Sequence, residues 1–424
     1  MPRPSRWTVL VYLAGDNDLS EAVQADLAEL RAVGSTPEVT VVAQTDRRGE
    51  AGASRWVVRR SAGRERHQPL GPVDSGDPAT LVDFVAWAAA EHPAERCALV
   101  IWSHGSGWEP AEVTRVARSV KAPRYTARES GDRAASPLGK ALFRSTLERV
   151  LAQEAPDRAI AVDDASGHSL DTVELGAVLA RAAAALGRPV DLLGLDACLM
   201  ATLEVACEVA PHAACVVAAQ DTEPTSGWPF TAVLRALAAE PGQDGRALGR
   251  AVVREYLGSY RGYPGPVSVS ALDTHRLDRV TAAVDALAAA LVDGLPGAAE
   301  AIWAAQRASP RFWHNTLWDL GALAAALADP AIGTVAGATR TAAAEVVEAM
   351  RPGRARALLA AGAAGTATFG AGAGGGAAGL ARRTGLNVYL PPPTTPVSRF
   401  YGELAFARAT AWPAMLAAYH GVLR

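Results

Sequence analysis

Two apolar runs of strand length each stop at a reactive side chain. Cys97-Ala-Leu-Val-Ile-Trp102 runs into Ser103, His104 and Gly105, and Val190-Asp-Leu-Leu-Gly-Leu195 runs into Asp196, Ala197 and Cys198. Short apolar runs with polar ends read as buried strands. Further strand-like runs at Trp7–Ala14, Val39–Thr45 and Ala214–Ala219 alternate with helical patterns at Ser20–Val33, Ala79–Glu91, Asp171–Leu186 and Ala201–Val209. That alternation predicts an α/β fold, a mostly parallel sheet flanked by helices on both faces. Ligands sit at the carboxyl ends of parallel strands. The imidazole of His104 and the thiol of Cys198 are therefore expected at one edge of the sheet.

A thiol and an imidazole at one edge form a nucleophile–base pair. A thiolate is the reactive form, and a helix N-terminus favours it. The helix predicted from about Ala201 would begin close to Cys198. Gly105 leaves room for its backbone N–H to approach a substrate carbonyl, and with the N–H of Cys198 it is the expected oxyanion hole. Each such donor is worth roughly 3–4 kcal/mol in known cases. These residues point to a cysteine hydrolase. A scaffold that binds a peptide or partner and no longer cleaves it is the alternative. A peptide-cleavage assay against Cys198→Ala separates the two.

The remaining motifs exclude other classes. The chain of 424 residues has a formal net charge of −3 and a pI near 6.3, which offers no basic field for nucleic acid. Four cysteines occur without a CxxC pair, so neither a disulfide framework nor a zinc site is expected. Cys97, Cys207 and Cys215 read as small core residues. Gly370-Ala-Gly-Ala-Gly-Gly375 matches a dinucleotide fingerprint by letter only, inside a glycine–alanine tract. No GxSxG elbow is present. Trp7–Ala14 reads as a first strand rather than a signal peptide. No run suits a membrane span, and a cytoplasmic protein is the expectation.

Residues 109–150 hold nine Lys or Arg against five acids, punctuated by Pro123 and Pro137, and read as an exposed loop. The pattern changes after Pro264. A strand at Pro266–Leu272 and helices at Leu277–Leu295, Leu317–Leu327 and Val335–Met350 follow. Ala361–Gly379 reads as a flexible loop. Gly385–Leu390 reads as a strand and Phe400–Tyr419 as a closing helix. Two regions result: residues 1–264, with 109–158 as a linker, and a helical C-terminal elaboration over 265–424.

Several segments, in order, resemble the clostripain family of cysteine peptidases. They are Trp7-Thr-Val-Leu-Val-Tyr-Leu-Ala-Gly-Asp16-Asn17-Asp18-Leu19, His104-Gly105-Ser-Gly-Trp108, Ala159-Ile-Ala-Val-Asp163-Asp164 with Leu170–Leu175, Asp196-Ala197-Cys198-Leu-Met200, Thr222-Glu223-Pro224 with Gly227-Trp228-Pro229-Phe230, and Gly385–Pro391. The resemblance implies a caspase-like fold with His104 as base and Cys198 as nucleophile. It also implies cleavage of a protein or peptide substrate after Arg or Lys. A buried cationic side chain needs a paired anion. Asp196 is the first choice for it, and Asp221 and Glu223 the second. Self-cleavage in the basic 109–158 loop is expected. Some relatives need calcium. No EF-hand loop is present, Asp16, Asn17 and Asp18 make only a weak site, and no cofactor is expected.

Overall fold

The computed structural model describes residues 5–17, 19–60, 65–105, 107–108, 170–310, 312, 315–365 and 382–422. In chain order the strands are β1 (Ser5–Gly15), β2 (Val39–Arg47), β3 (Ala53–Val57), β4 (Arg66–Gly71), β5 (Ala94–Trp102), β6 (Leu192–Asp196), β7 (Cys215–Ala218), β8 (Val267–Asp273), β9 (Leu317–Asp319), β10 (Leu358–Ala364) and β11 (Asn387–Tyr389). Nine of them form one sheet in the order β10-β8-β7-β6-β5-β1-β2-β3-β4, and β9 with β11 makes a small antiparallel ribbon. The central strands β7, β6, β5, β1 and β2 are parallel, while β3, β4, β8 and β10 run antiparallel to their neighbours.

Side chains alternate between the faces of a strand, and each face of this sheet builds its own core. Leu10, Tyr12, Leu99, Ile101, Leu193 and Leu195 point to one side. Val9, Val11, Leu13, Val100, Trp102 and Val217 point to the other. The second face is covered by α1 (Ser20–Val33), α5 (Phe230–Ala239) and α6 (Gly245–Ser259). The first is covered by α2 (Pro78–Glu91), α3 (Thr172–Leu186) and α4 (Leu203–Val209). Outside these lie α7 (Asp278–Gly294), α8 (Ala299–Ala308), α9 (Leu320–Ala328), α10 (Gly337–Ala349), α11 (Ala405–Ala409) and α12 (Trp412–Gly421). Local chemistry fixes where helices start. Asp171 and Glu174 form a reciprocal capping box on α3.

Four expectations change. Leu358–Ala364, expected in part as flexible loop, is an edge strand paired to β8. Small residues suit it because a Cβ on Gly362 would stand 2.5 Å from Leu257 Cδ1 of α6. Leu317–Leu327 opens as strand β9, and Asp319 then caps α9 by accepting from the Ala322 N–H at 2.8 Å. Phe400–Tyr419 divides into a 3₁₀ turn, α11 and α12, with Pro413 in the first turn of α12, where its missing N–H costs nothing. The boundary near residue 264 is no edge of the sheet, since β8 and β10 beyond it complete the strand order. The 109–158 loop and the strand expected at Ala159–Val162 lie outside the described residues.

A buried polar knot fastens the ribbon to the exit of β7. The Gln220 amide donates to Asp319 at 2.9 Å and to Asn387 at 3.0 Å, and Asn387 donates back to the Gln220 carbonyl. Thr384 donates to Asp319 through both its N–H and its hydroxyl. This knot fixes the chain immediately before Asp221.

Candidate active site

The register of β5 and β6 decides the geometry. Trp102 is the cross-strand partner of Asp196. His104 lies two residues beyond the first and Cys198 two beyond the second, so both leave the same edge at the same level. Neighbouring strands are about 4.8 Å apart. Both residues line one cleft, together with Leu19, Trp102, Ser103, Asp196, Glu223 and Gly227. His104 and Cys198 are each 5 % exposed.

The turn after β6 is tight. Leu199 adopts φ 65°, a left-handed conformation that costs a leucine of order 1–3 kcal/mol. Its N–H donates to the Asp221 carbonyl at 3.0 Å, which helps hold the strained turn. From across the cleft, Gly105 packs against the same turn. A Cβ at that position would meet the Cys198 carbonyl oxygen at 2.5 Å, the Ala197 Cβ at 2.9 Å and the Cys198 nitrogen at 3.1 Å. Backbone atoms cannot swing aside as a side chain can. Gly105→Ala is expected to push the His104 and Cys198 loops apart and lower kcat by about tenfold to a hundredfold. Melting temperature should change far less than kcat, and wild-type turnover in the purified variant would contradict this reading of the contact.

The Cys198 sulfur accepts from the Glu223 N–H at 3.2 Å. Burial pushes the thiol up to about 12; that N–H pulls it down, and the nearby carboxyls of Glu223, Asp221 and Asp196 push it up. The other cysteines, Cys97, Cys207 and Cys215, are also free thiols away from the cleft.

The three acids singled out from the sequence separate. Asp196 sits in the cleft wall and accepts from the Trp228 N–H at 3.0 Å. Gly227 lies flush against it, for a Cβ there would stand 2.9 Å from the Asp196 carboxylate. Glu223 lines the same cleft, with its carboxyl beside that of Asp196. Asp221 is different. It forms a buried ion pair with Arg383 at 2.5 Å, and Arg383 also stacks over Phe312. Its charge is already balanced within the chain, which removes it from the expected set of cation-binding acids.

Burial pushes Asp196 up to about 7, and the Trp228 N–H opposes the rise. Glu223 is raised well above an ordinary glutamate by burial and by Asp196. Trp102 forms part of the cleft. Trp108 packs edge-on against Tyr389 and Tyr401, and Trp228 stands behind the wall against Gly194.

Asp26 of α1 was missed from the sequence. It falls between Val23, Leu27 and Leu30 on the buried stripe, where a charge is out of place, and that was a readable signal. Burial pushes its carboxyl up to about 9, and the Asp196 and Glu29 charges add to the shift. An unfolded aspartate titrates near 4. Between those values the folded form holds a proton that the unfolded chain has lost, so this group lowers stability as pH rises through the window. Asp26→Asn removes the loss. Its gain in melting temperature should be larger near pH 8 than near pH 5; an equal effect at both would contradict the burial argument.

Among the described residues, no group of three or more His, Cys, Asp or Glu could hold a metal. The Asn17 side-chain oxygen is committed to the Leu19 N–H at 2.7 Å. Asp18 lies outside the described residues. No described helix is long and apolar enough to cross a membrane.

Among the described residues, a mostly parallel sheet wrapped by 12 helices, with a thiol and an imidazole leaving neighbouring strands in register, has a caspase-like fold. The family model described as the clostripain family matches residues 11–137 and 150–417. The chain belongs to the clostripain family and is a cysteine-type peptidase. Its fold is similar to an inactive zymogen C11 protease from Parabacteroides distasonis, with 17 % identity, 97 % of this chain and 99 % of that chain covered, and a TM-score of 0.66. It is also similar to a secreted C11 cysteine protease from Bacteroides thetaiotaomicron in complex with an irreversible peptide inhibitor, with 17 % identity, 96 % and 99 % covered, and a TM-score of 0.62. No curated protein matches the sequence.

Proposed function

We propose that the chain is an endopeptidase that cuts after Arg and, less readily, Lys, with Cys198 as nucleophile and His104 as base. The carrying observation is the shared register of β5 and β6, which sends both side chains into one cleft walled by Asp196 and Glu223. The buried thiol needs a proton acceptor at its side, and His104 lines the same cleft. His104 takes the thiol proton as the sulfur attacks the scissile carbonyl, then hands it to the leaving amine. Water hydrolyses the resulting thioester. The N–H groups of Gly105 and Cys198 face the developing oxyanion, the role in which such donors act most strongly. Asp196 and Glu223 receive the basic side chain.

The chain also cuts itself within the basic 109–158 loop. The nine Lys and Arg over residues 109–150 supply bonds of the proposed specificity. One similar structure is of an inactive zymogen. The test compares fluorogenic peptides ending in Arg, Lys and norleucine. Cleavage in the order Arg, Lys, norleucine, with nicking of the loop in wild type only, is expected. Equal rates on all three would overturn the specificity, and no cleavage of any would favour a non-catalytic binding scaffold.

A further inference from the structure

Asp196 and Glu223 are two acids in one wall with no cation to balance them. Asp196 is 3 % exposed and Glu223 6 %. Among the described residues, no Lys or Arg pairs with either, and Arg383, the nearby buried cation, is spent on Asp221. The hydroxyl of Tyr256 and the Nε1 of Trp228 face Glu223 as neutral donors. Glu223 is thus surrounded by neutral donors and one acid. The other titratable groups around the pair, His104 apart, are acids, phenols and a thiol. From α1 come Asp26 and Glu29. From α6 comes Tyr256, and from just past its end Tyr260. Cys198 and His104 complete the cleft.

Two carboxyl groups this close and this dry cannot both ionise, and they titrate as a pair. We propose that Asp196 and Glu223 hold one proton between them in the empty cleft and release it to solvent when a guanidinium or ammonium side chain enters, with Glu223 as the acid that discharges it. This rests on the basic-residue reading above. The exchange balances. The pair carries one negative charge before binding; afterwards it carries two, facing the one positive charge of the ligand, and one proton has left. Recognition of a basic residue is then a cation-for-proton exchange, and its affinity falls about tenfold for each pH unit below the range in which the pair loses that proton. A neutral residue at the same position shows no such dependence.

The experiment is calorimetry of benzamidine binding to wild-type enzyme that is active on the Arg peptide, at about pH 8, above the value of about 7 to which burial pushes Asp196, in phosphate and in Tris. The two buffers take up a proton with very different heats, so the difference counts protons released. About one proton per benzamidine is expected for wild type and close to none for Glu223→Gln, which still binds through Asp196. The variant keeps His104 and Cys198, so loss of the signal assigns the proton to Glu223 rather than to either of them. Binding without proton release in wild type, or release that persists in Glu223→Gln, overturns the exchange while leaving the basic-residue pocket intact. Enzyme that cleaves peptides but does not bind benzamidine overturns the basic-residue reading and the exchange with it.

Discussion

Replacing Cys198 by alanine is expected to lower kcat on an Arg peptide by about 10⁴–10⁶-fold, the range seen when a nucleophile that acts as one unit with its base is removed. The fold should be untouched. Cys198 is buried, its backbone sits in the Leu199 turn, and loss of one sulfur removes a single acceptor, the one that meets the Glu223 N–H. The variant should also stay intact where the wild-type chain nicks in the 109–158 loop. His104→Ala should approach the same floor, and the double variant should be little worse than either single one, because base and nucleophile serve one step. Substantial hydrolysis by Cys198→Ala, or multiplied losses in the double variant, would contradict the pairing.

Asp196→Asn should lower kcat/KM for Arg peptides by about 10²–10⁴-fold, while norleucine peptides change little. Leaving a buried charge without its partner costs roughly 3–5 kcal/mol, and each 1.4 kcal/mol is about a factor of ten. Asparagine keeps an oxygen for the Trp228 N–H, so the wall formed by Gly227 and Trp228 stays in place. The loss should therefore appear as selectivity rather than as a general defect. A loss equal on basic and neutral peptides would show that Asp196 holds the turn before Cys198 and does not meet the substrate cation.

Much of this site was legible in the sequence because strand ends advertise themselves. The apolar runs before His104 and Cys198 fixed their edge, and the small residues beside them, Gly105 and Ala197, are the atoms that touch across the cleft. What the sequence could not tell was which acids are already partnered. Asp221 and Glu223 are two residues apart, yet Arg383, 162 positions after Asp221, neutralises one and leaves the other beside a second acid. A contact of that separation has no local signature. The same holds for β10, whose alanines and single glycine match no strand pattern and become a strand because β8 offers an open edge beneath the crowding Leu257. In β4, Pro69 sits in an outermost strand, where a missing N–H is tolerated. Tyr256 and Trp228 are buried aromatics by composition, and only the fold aims their polar atoms at Glu223.

The most direct test of the account is covalent capture of the nucleophile. Wild-type enzyme is incubated with an arginyl acyloxymethyl ketone, with and without excess benzamidine, and its peptides are weighed by mass spectrometry. One adduct on the peptide carrying Cys198, slowed by benzamidine and nearly absent from His104→Ala, is the expected result. An adduct on Cys97, Cys207 or Cys215 instead, or labelling of Cys198 that ignores both benzamidine and the loss of His104, would contradict it.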